Sequence, residues 1–506
     1  MRLIKPASWL PAQASRWGPL VETLLTAFLA KFDPTLLQKM LGDQLSLPVD
    51  ALPGERALLL ASECTAFHKL CQILARNPMV PRETRERLIP LESLPPSAIP
   101  ECARLKAIHY AAKALHLPQA GIKCTKIGRG SVADVFSVQS CQLPKPVVLK
   151  LIRSDSLGRV RREAAILSEL ARESAAIGIV LGPNFQHALR EALQDASRSL
   201  LREIEFPGEA KNLSDAREFY RLNERVEVPS PVGPRGSTGL FMEYAQGIPV
   251  LDNRLDQPVR RKIAQQLFRA VILEPLFSGS PEIIFHADPH AGNIRLNRGW
   301  EHPERTIKVI LLDWSQAGRL PSAMARGIIQ LCVGCMEAKL PSKDLIERLL
   351  GKMPPLSNLS IPEGGNPLTR SLEIIQQLAI EGMKVPLGLL LLRKSLLTIE
   401  SIAHQLDPEF DSWKETLRYA GWVLLSEMPF RLLSLNLPWL DSPRIYRSGI
   451  TTKSIFAKLA NIFVRSHNFS LTLPLTVCDS LSQGKVRQNF WTDIEDIFRN
   501  GVHAAQ

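Results

Sequence analysis

From residue 1 to about residue 120 apolar side chains recur every three or four positions, as at Leu20, Leu24, Leu25, Phe28 and Leu29, and proline turns such as Leu94-Pro95-Pro96 punctuate the pattern. Such spacing lines apolar groups along one side of a helix and predicts a helical N-terminal region. Between Ile122 and Ile152 the period becomes that of strands: Val135-Phe136-Ser137-Val138 and Val147 to Ile152 flank a turn at Gln142 to Pro146, which predicts a hairpin. Residues 156–226 return to helical periodicity with a break at Gly182-Pro183, and Thr238 to Tyr244 predicts a further short strand. Beyond it the pattern predicts a helix over Arg260 to Phe277, a buried strand over Ile307 to Leu312, and proline-punctuated helices after Ser322. The expected order is a helical cap, a small β-containing lobe and a larger helical lobe, with no internal repeat.

The chain has 506 residues, 45% hydrophobic and 22% charged, an ordinary folded composition that excludes disordered, collagen-like and coiled-coil classes. Its length is enough for two or three lobes. The longest apolar run, Val385 to Leu392, contains Pro386 and ends at Arg393, far short of the ~20 residues that span a bilayer, so no transmembrane helix is expected. The opening MRLIKPASWLPAQASRW is basic but has no apolar core, which argues against a secretory signal and leaves organellar import open. The expected location is cytoplasmic or peripheral on a membrane. Lys plus Arg number 62 against 50 acids, and the resulting +12 favours anions without choosing among nucleotides, nucleic acid and acidic lipid. No basic stripe interleaved with aromatics is present, so no nucleic-acid partner is expected. The eight cysteines are scattered, as suits a reducing compartment. Cys332 and Cys335 form the one C-x-x-C, and with no second pair to complete a zinc site they read as small core residues of a helix.

Three segments concentrate the candidate chemistry. Gly128-Arg129-Gly130-Ser131 lies between two strands, where small residues let backbone N–H groups approach a phosphate, making Gly128, Gly130 and Ser131 candidate nucleotide contacts. Lys150 follows in the next strand as V-V-L-K, a position suited to setting an ammonium against nucleotide phosphates, and Glu209 on a later helix is placed to orient it. His286-Ala287-Asp288-Pro289-His290-Ala291-Gly292-Asn293 carries the third element. Asp288 and Asn293 keep the five-residue separation of a loop that offers a carboxylate to a substrate hydroxyl and an amide to Mg²⁺. Asp313, leaving a buried strand, supplies a second oxygen ligand to the metal. His286 and His290 lack the helical H-E-x-x-H context of zinc sites, and His286 reads as an anchor for the loop.

The residues together resemble the UbiB/AarF/ADCK family of atypical kinases. The family's H-A-D-P-H-P-G-N is here HADPHAGN with Ala291 for proline, and its E-x-D-F-x-x-E-A-x-N helix is Glu203-Ile204-Glu205-Phe206-Pro207-Gly208-Glu209-Ala210-Lys211-Asn212. Its K-x-G-Q is Lys69-Leu70-Cys71-Gln72, and the hinge-like Leu240-Phe241-Met242-Glu243-Tyr244 and the late Leu406-Asp407-Pro408-Glu409-Phe410-Asp411 also match. The resemblance covers about residues 65 to 411. It implies an α+β, bilobal protein-kinase-like fold with a helical N-terminal extension and a helical C-terminal region. The expected divisions are an extension over 1–120 carrying the K-x-G-Q-like helix, an N-lobe over 121–250, a C-lobe with catalytic and metal loops over 251–411, and a helical region over 412–506. It further implies an ATP- and Mg²⁺-dependent kinase or ATPase linked to isoprenoid-quinone or other lipid metabolism. In that frame Glu243 joins the nucleotide contacts, and the helix of Lys69 and Gln72 folds over the active site with Lys69 paired to Glu203 or Glu205.

Besides Ala291, the chain departs from the family at four places. GRGSVADVF stands where an alanine-rich loop is usual, Cys71 replaces a glycine, Glu205 an aspartate, and Trp314-Ser315 the Phe-Gly after the metal aspartate. None removes a charged group of the set. Two other readings stay open: a small-molecule kinase of aminoglycoside or choline type, which the Lys69–Gln72 helix argues against, and a nucleotide-binding pseudokinase scaffold. Near the end of the chain, Ser454, Lys458, Asn461 and Arg465 fall on one helical face opposite Ile455, Leu459 and Ile462, flanked by Phe456 and Phe463, a pattern that suits either packing of the apolar face on the C-lobe or contact with an anionic membrane surface.

Overall fold

The computed structural model describes residues 18–68, 101–130, 132–154, 156–177, 183–234, 236–297, 299, 306–338, 340–351, 360–380, 383 and 385–457. Lys69 and Gln72, Ser131, and the stretch of the expected C-terminal helix from Lys458 onward lie outside the described residues. The chain divides into two compact units: one runs to Ile272 and adds Ile284–Arg319 and Lys394–Phe410, and the other takes Leu273–Ile283, Leu320–Arg393 and the chain from Asp411.

The first unit begins with three helices, α1 (Gly18–Ala30), α2 (Pro34–Ser46) and α3 (Pro53–Glu63). Asp33 starts α2 by accepting the Thr35 amide at 2.9 Å. A fourth, α4 (Glu101–Leu115), packs on an antiparallel sheet of β1 (Lys123–Arg129), β2 (Ala133–Gln139), β3 (Val147–Ile152) and β5 (Gly239–Glu243). Ala107, Ala111 and Ala112 let the helix approach closely, and together with Ile122, Phe136, Val138, Leu149 and Phe241 they form one core. Tyr110 of α4 stacks on Phe241, and its ring occupies the space where a side chain at Gly239 would stand, so only glycine fits there. The expected hairpin is thus β2 and β3, with Val135 opposite Lys150.

Helices α5 (Ser156–Ile177), α6 (Pro183–Arg202) and α7 (Phe206–Phe219) follow, the first two joined by a hydrogen bond between the Ser168 and Ser197 hydroxyls (2.9 Å). Buried Glu163 of α5 accepts the amides of Thr65 (3.1 Å) and Ala66 (2.6 Å) and receives the Cys64 thiol at 3.5 Å. The chain is therefore tied to α5 just before Lys69. A second sheet has the order β4 (Val226–Glu227), β9 (Val309–Leu311), β8 (Ile294–Leu296), β6 (Ile248–Pro249), with β4 parallel to β9 and the other neighbours antiparallel. β7 (Glu282–His286) pairs with β10 (Ala317–Pro321). The expected helix over Arg260 to Phe277 is instead α8 (Gln257–Phe268), a π-helical turn over Arg269–Leu273 and a last turn at Glu274–Leu276. Pro275 has no N–H for the α-ladder, which accounts for the change of register.

In the second unit α9 (Ser322–Met336), α10 (Lys343–Leu350) and α11 (Pro367–Ile380) surround a core of Cys335, Ile346, Ile374 and Leu378. Cys332 and Cys335 are buried side chains of α9, and burial pushes both thiols up. α12 (Leu387–Leu406) enters the first unit from Lys394, and α13 (Ser412–Asn436) starts at Asp411, whose carboxylate accepts the Trp413 and Lys414 amides. Among the described residues no helix is long and apolar enough to cross a membrane.

The Glu163 clasp gives a direct test. Glu163→Ala should cost about 1–3 kcal/mol, because a buried and a part-buried amide lose their acceptor. Hydrogen exchange at Thr65 and Ala66 should rise well above that of α5. Unchanged exchange at those two amides would show that the clasp does not hold the segment.

Candidate active site

Three elements of the first unit converge on one ammonium. β3 delivers Lys150, the first turns of α7 deliver Glu209, and the turn leaving β9 delivers Asp313. Lys150 Nζ donates to both Glu209 oxygens at 2.9 Å and meets Asp313 Oδ2 at 3.2 Å, while the Phe206 ring lies 5.7 Å away. Glu209 is buried, whereas the Asp313 side chain keeps 37% of its surface open. Burial pulls the Lys150 ammonium down, but Asp313 and Glu209 outweigh it and hold the group above its usual value. Burial pushes Glu209 up to about 7 against the pull of Lys150. For Asp313 burial is outweighed by Lys150 and by the Ser315 amide, which donates to Oδ1 at 3.2 Å, so the carboxyl stays well below the usual range. Asp313 itself sits at φ +54°, in the left-handed region that non-glycine residues rarely adopt.

The loop after β7 is fixed by His286, which is fully buried. Its Nδ1 accepts the Asp288 amide (3.2 Å), so Nε2 carries the proton and donates to the Leu312 carbonyl (2.7 Å), one residue before Asp313. Burial keeps the ring below its usual pKa, consistent with a neutral imidazole. The anchoring role expected of His286 is thus visible in its bonds. The Leu312 amide donates to the Asn293 carbonyl at 2.8 Å, and Asn293 Nδ2 donates to the Asp288 carbonyl at 3.2 Å. With Nδ2 taken, Oδ1 is the Asn293 atom that can face a cation. His290 accepts the Gly292 amide at 3.1 Å and caps a turn over Ala291–Asn293. Trp314, in place of a phenylalanine, is wholly buried, with Nε1 donating to the Leu311 carbonyl (3.2 Å) and its ring 4.8 Å from that of His286. Asn212 holds the Trp314 carbonyl at 2.9 Å. The Trp-Ser departure therefore fills the volume behind the loop and keeps the amide that orients Asp313.

Other expected residues are more dispersed. Gly128 lies within β1 opposite Val135, and the turn proper closes through the Gly130 amide on the Ala133 carbonyl (2.8 Å). The Gly130 carbonyl accepts from Arg153 at 3.0 Å, and a buried Lys126–Asp134 pair at 3.0 Å stiffens the base of the hairpin. Glu243 ends β5 with its carboxylate taken by Arg217 (2.7 Å) and the Ser230 amide (3.0 Å). Glu203 is half-buried, and Glu205 is exposed at the start of α7.

One residue of the cluster escaped sequence reasoning. Lys394 of α12 places Nζ 2.8 Å from Asp288 Oδ1, and its neighbour Ser395, fully buried, donates to the His286 carbonyl at 2.8 Å. The signal was a lysine and a serine set into an apolar helix whose Leu392, Leu396 and Ile399 are buried. Among the described residues no group of three or more His, Cys, Asp or Glu side chains gathers at one point. A cation here would have one carboxylate and one amide from the chain, both hard oxygen donors, with phosphate and water completing it, the environment that suits Mg²⁺.

The model of the ABC1 atypical kinase-like domain matches residues 120–341, and that of the UbiB helical domain matches residues 343–411. Among relatives, the probable protein kinase UbiB of Xanthomonas campestris pv. campestris (strain B100) is 26% identical over 434 residues, 76% of this chain and 74% of that protein. That of Xylella fastidiosa (strain M12) is 23% identical over 460 residues, 82% and 80% of the two chains. Among solved structures, a Mycobacterium tuberculosis protein in complex with erythromycin is similar at a TM-score of 0.39 and 15% identity, over 60% of this chain and 79% of that one. The chain belongs to the UbiB family of atypical, protein-kinase-like proteins.

The buried cluster predicts non-additive energetics. Lys150→Met should cost about 3 kcal/mol in urea unfolding, the usual loss when one partner of a buried pair is removed. Adding Glu209→Gln should cost less than about 1 kcal/mol more, since that carboxylate no longer has a cation to hold. Strictly additive losses would contradict the coupling.

Proposed function

We propose that this UbiB-family protein binds Mg²⁺-ATP and acts as an atypical kinase or ATPase supporting isoprenoid-quinone or related lipid metabolism. The observation that carries the reading is the Lys150 ammonium held between Glu209 and Asp313. One ammonium against two carboxylates leaves a single negative charge in a largely buried site, unless Glu209 takes a proton, and a divalent cation held at Asp313 would offset it. In this reading Lys150 turns its ammonium toward the α- and β-phosphates while Glu209 keeps it oriented. Asp313 and Asn293 hold the metal, which when bound neutralises phosphate charge. Gly128 and Gly130 line the nucleotide's side of the hairpin, Ser131 is expected to join them from outside the described residues, and Glu243 supports the hinge strand through Arg217.

Asp288 is the candidate base for an acceptor hydroxyl or water, and Lys394 keeps its carboxylate oriented and sets a second cation beside the transferring phosphoryl group. The link to quinone or lipid substrates rests on the family resemblance. The lid reading, with Lys69 and Gln72 set against Glu203 or Glu205, rests on the family resemblance alone, because Lys69 and Gln72 lie outside the described residues.

Phosphate release from ATP by the purified protein tests the proposal. Asp288→Asn should lower turnover by about 10²–10⁴-fold, the usual worth of a positioned base. Lys394→Ala should lower it by about 10–100-fold with nucleotide affinity nearly unchanged, and Lys394→Arg should restore part of the loss. Turnover in Asp288→Asn equal to wild type would remove the catalytic assignment.

A further inference from the structure

Helix α7 meets the chain around Asp313 along one stripe. Glu209, Asn212 and Asp215 follow one another at spacings of three and so share a side of the helix. Glu209 takes the Lys150 ammonium, Asn212 donates to the Trp314 carbonyl (2.9 Å), and Asp215 receives the Arg319 guanidinium at 2.5 Å. The same guanidinium nitrogen also donates to Asn212 Oδ1 at 3.2 Å. Arg319 belongs to β10, which pairs with β7, and the Phe285 ring of β7 leaves no room for a side chain at the neighbouring Gly318. The backbone that carries this arginine is therefore closely fixed.

We infer that Arg319 is a positioning residue: through Asn212 it sets the turn that carries Asp313 against the helix that carries Glu209. Donors and acceptors force the link. A guanidinium only donates and a main-chain carbonyl only accepts, so the carboxamide between them has one workable orientation, Oδ1 to Arg319 and Nδ2 to the Trp314 carbonyl. Turned over, it would set Nδ2 against the cation and Oδ1 against the carbonyl oxygen, and both bonds would be lost. The turn needs such a hold. Asp313 has φ +54°, and a non-glycine residue stays in that region only where its neighbours fix it. His286 holds the Leu312 carbonyl before it, and Asn212 holds the Trp314 carbonyl after it. Asp215 completes the relay by fixing Arg319. The Arg319 and Asp215 side chains keep 32% and 36% of their surface open, and a pair so exposed adds little to stability, so what it supplies is direction. The consequence for metal binding rests on the reading of Asp313 as a metal ligand, whereas the hold on the turn does not.

Hydrogen exchange of the full chain without ligand, and phosphate release from ATP at varied Mg²⁺, test it together. The amides to follow are those of Leu312, which donates to the Asn293 carbonyl, and Ser315, which donates to Asp313. Arg319→Gln and Asn212→Asp should each speed their exchange about tenfold, roughly the worth of one hydrogen bond, with little change in thermal midpoint. Each should also raise the Mg²⁺ needed for half-maximal release about tenfold, with turnover at saturating Mg²⁺ close to wild type. Asp215→Arg with Arg319→Asp restores the ion pair but sets a carboxylate against Asn212, which then offers it Nδ2 and turns Oδ1 to the Trp314 carbonyl. Thermal stability should stay at the wild-type level in that swap while exchange stays fast. Circular dichroism checks that each variant is folded. Wild-type exchange in both single variants, wild-type exchange in the swap, or fast exchange with an unchanged Mg²⁺ requirement overturns the inference. Fast exchange in the variants of a protein that releases no phosphate at any Mg²⁺ upholds the hold on the turn and removes the proposed turnover instead.

Discussion

A lysine removed from water keeps its charge only where anions are fixed around it, and Lys150 imposes that requirement on the first unit. Its ammonium has two Glu209 oxygens at 2.9 Å and Asp313 at 3.2 Å. To bring these groups together, a strand of the first sheet, a helix that follows it and a turn after the second sheet must hold fixed positions. The cost of burying the charges is offset only if all three stay in place. Glu209, pushed up to about 7, carries the strain of the arrangement, while Asp313 stays ionised and partly open to solvent. An unbalanced negative charge at the mouth of a buried site is what a cation-bound phosphate ligand would meet.

The surrounding bonds serve the same end. His286 joins the Asp288 amide to the Leu312 carbonyl, so the loop of the candidate base and the turn of Asp313 share one imidazole. Trp314 fills the space behind that ring, and Asn212 ties its carbonyl to α7, the helix of Glu209. From α12, Ser395 fixes the His286 carbonyl and Lys394 fixes Asp288. A helix contributed from late in the chain thus closes the hydrogen-bond network of a loop more than a hundred residues earlier.

Much of this was legible in the residues. The run Val147 to Ile152 declares a strand because it is apolar and β-branched, and β3 spans it. The separations of Asp288, Asn293 and Asp313 mark the loops because the chemistry needs those groups at those steps. The short strands β7, β8 and β10 were not legible: three to five residues carry too little period, and long-range pairing decides them. Lys394 was hidden because its partner lies 106 residues away. In α13 the helix itself was readable, but not which side faces inward. The apolar stripe argues for burial, and the bonds of Glu427 and Arg431 to the segment around Ser448 reverse it.

The central claim, that the Lys150 cluster with Asn293 is a metal-nucleotide site, is reached most directly by electron paramagnetic resonance of Mn²⁺ titrated with ADP. The wild type with ADP should remove more of the free-ion signal than ADP alone does, and Asp313→Asn should weaken that excess uptake by at least about tenfold, as loss of a charged oxygen ligand requires. Equal Mn²⁺ uptake by the wild type and Asp313→Asn, or uptake indifferent to ADP, would contradict the account.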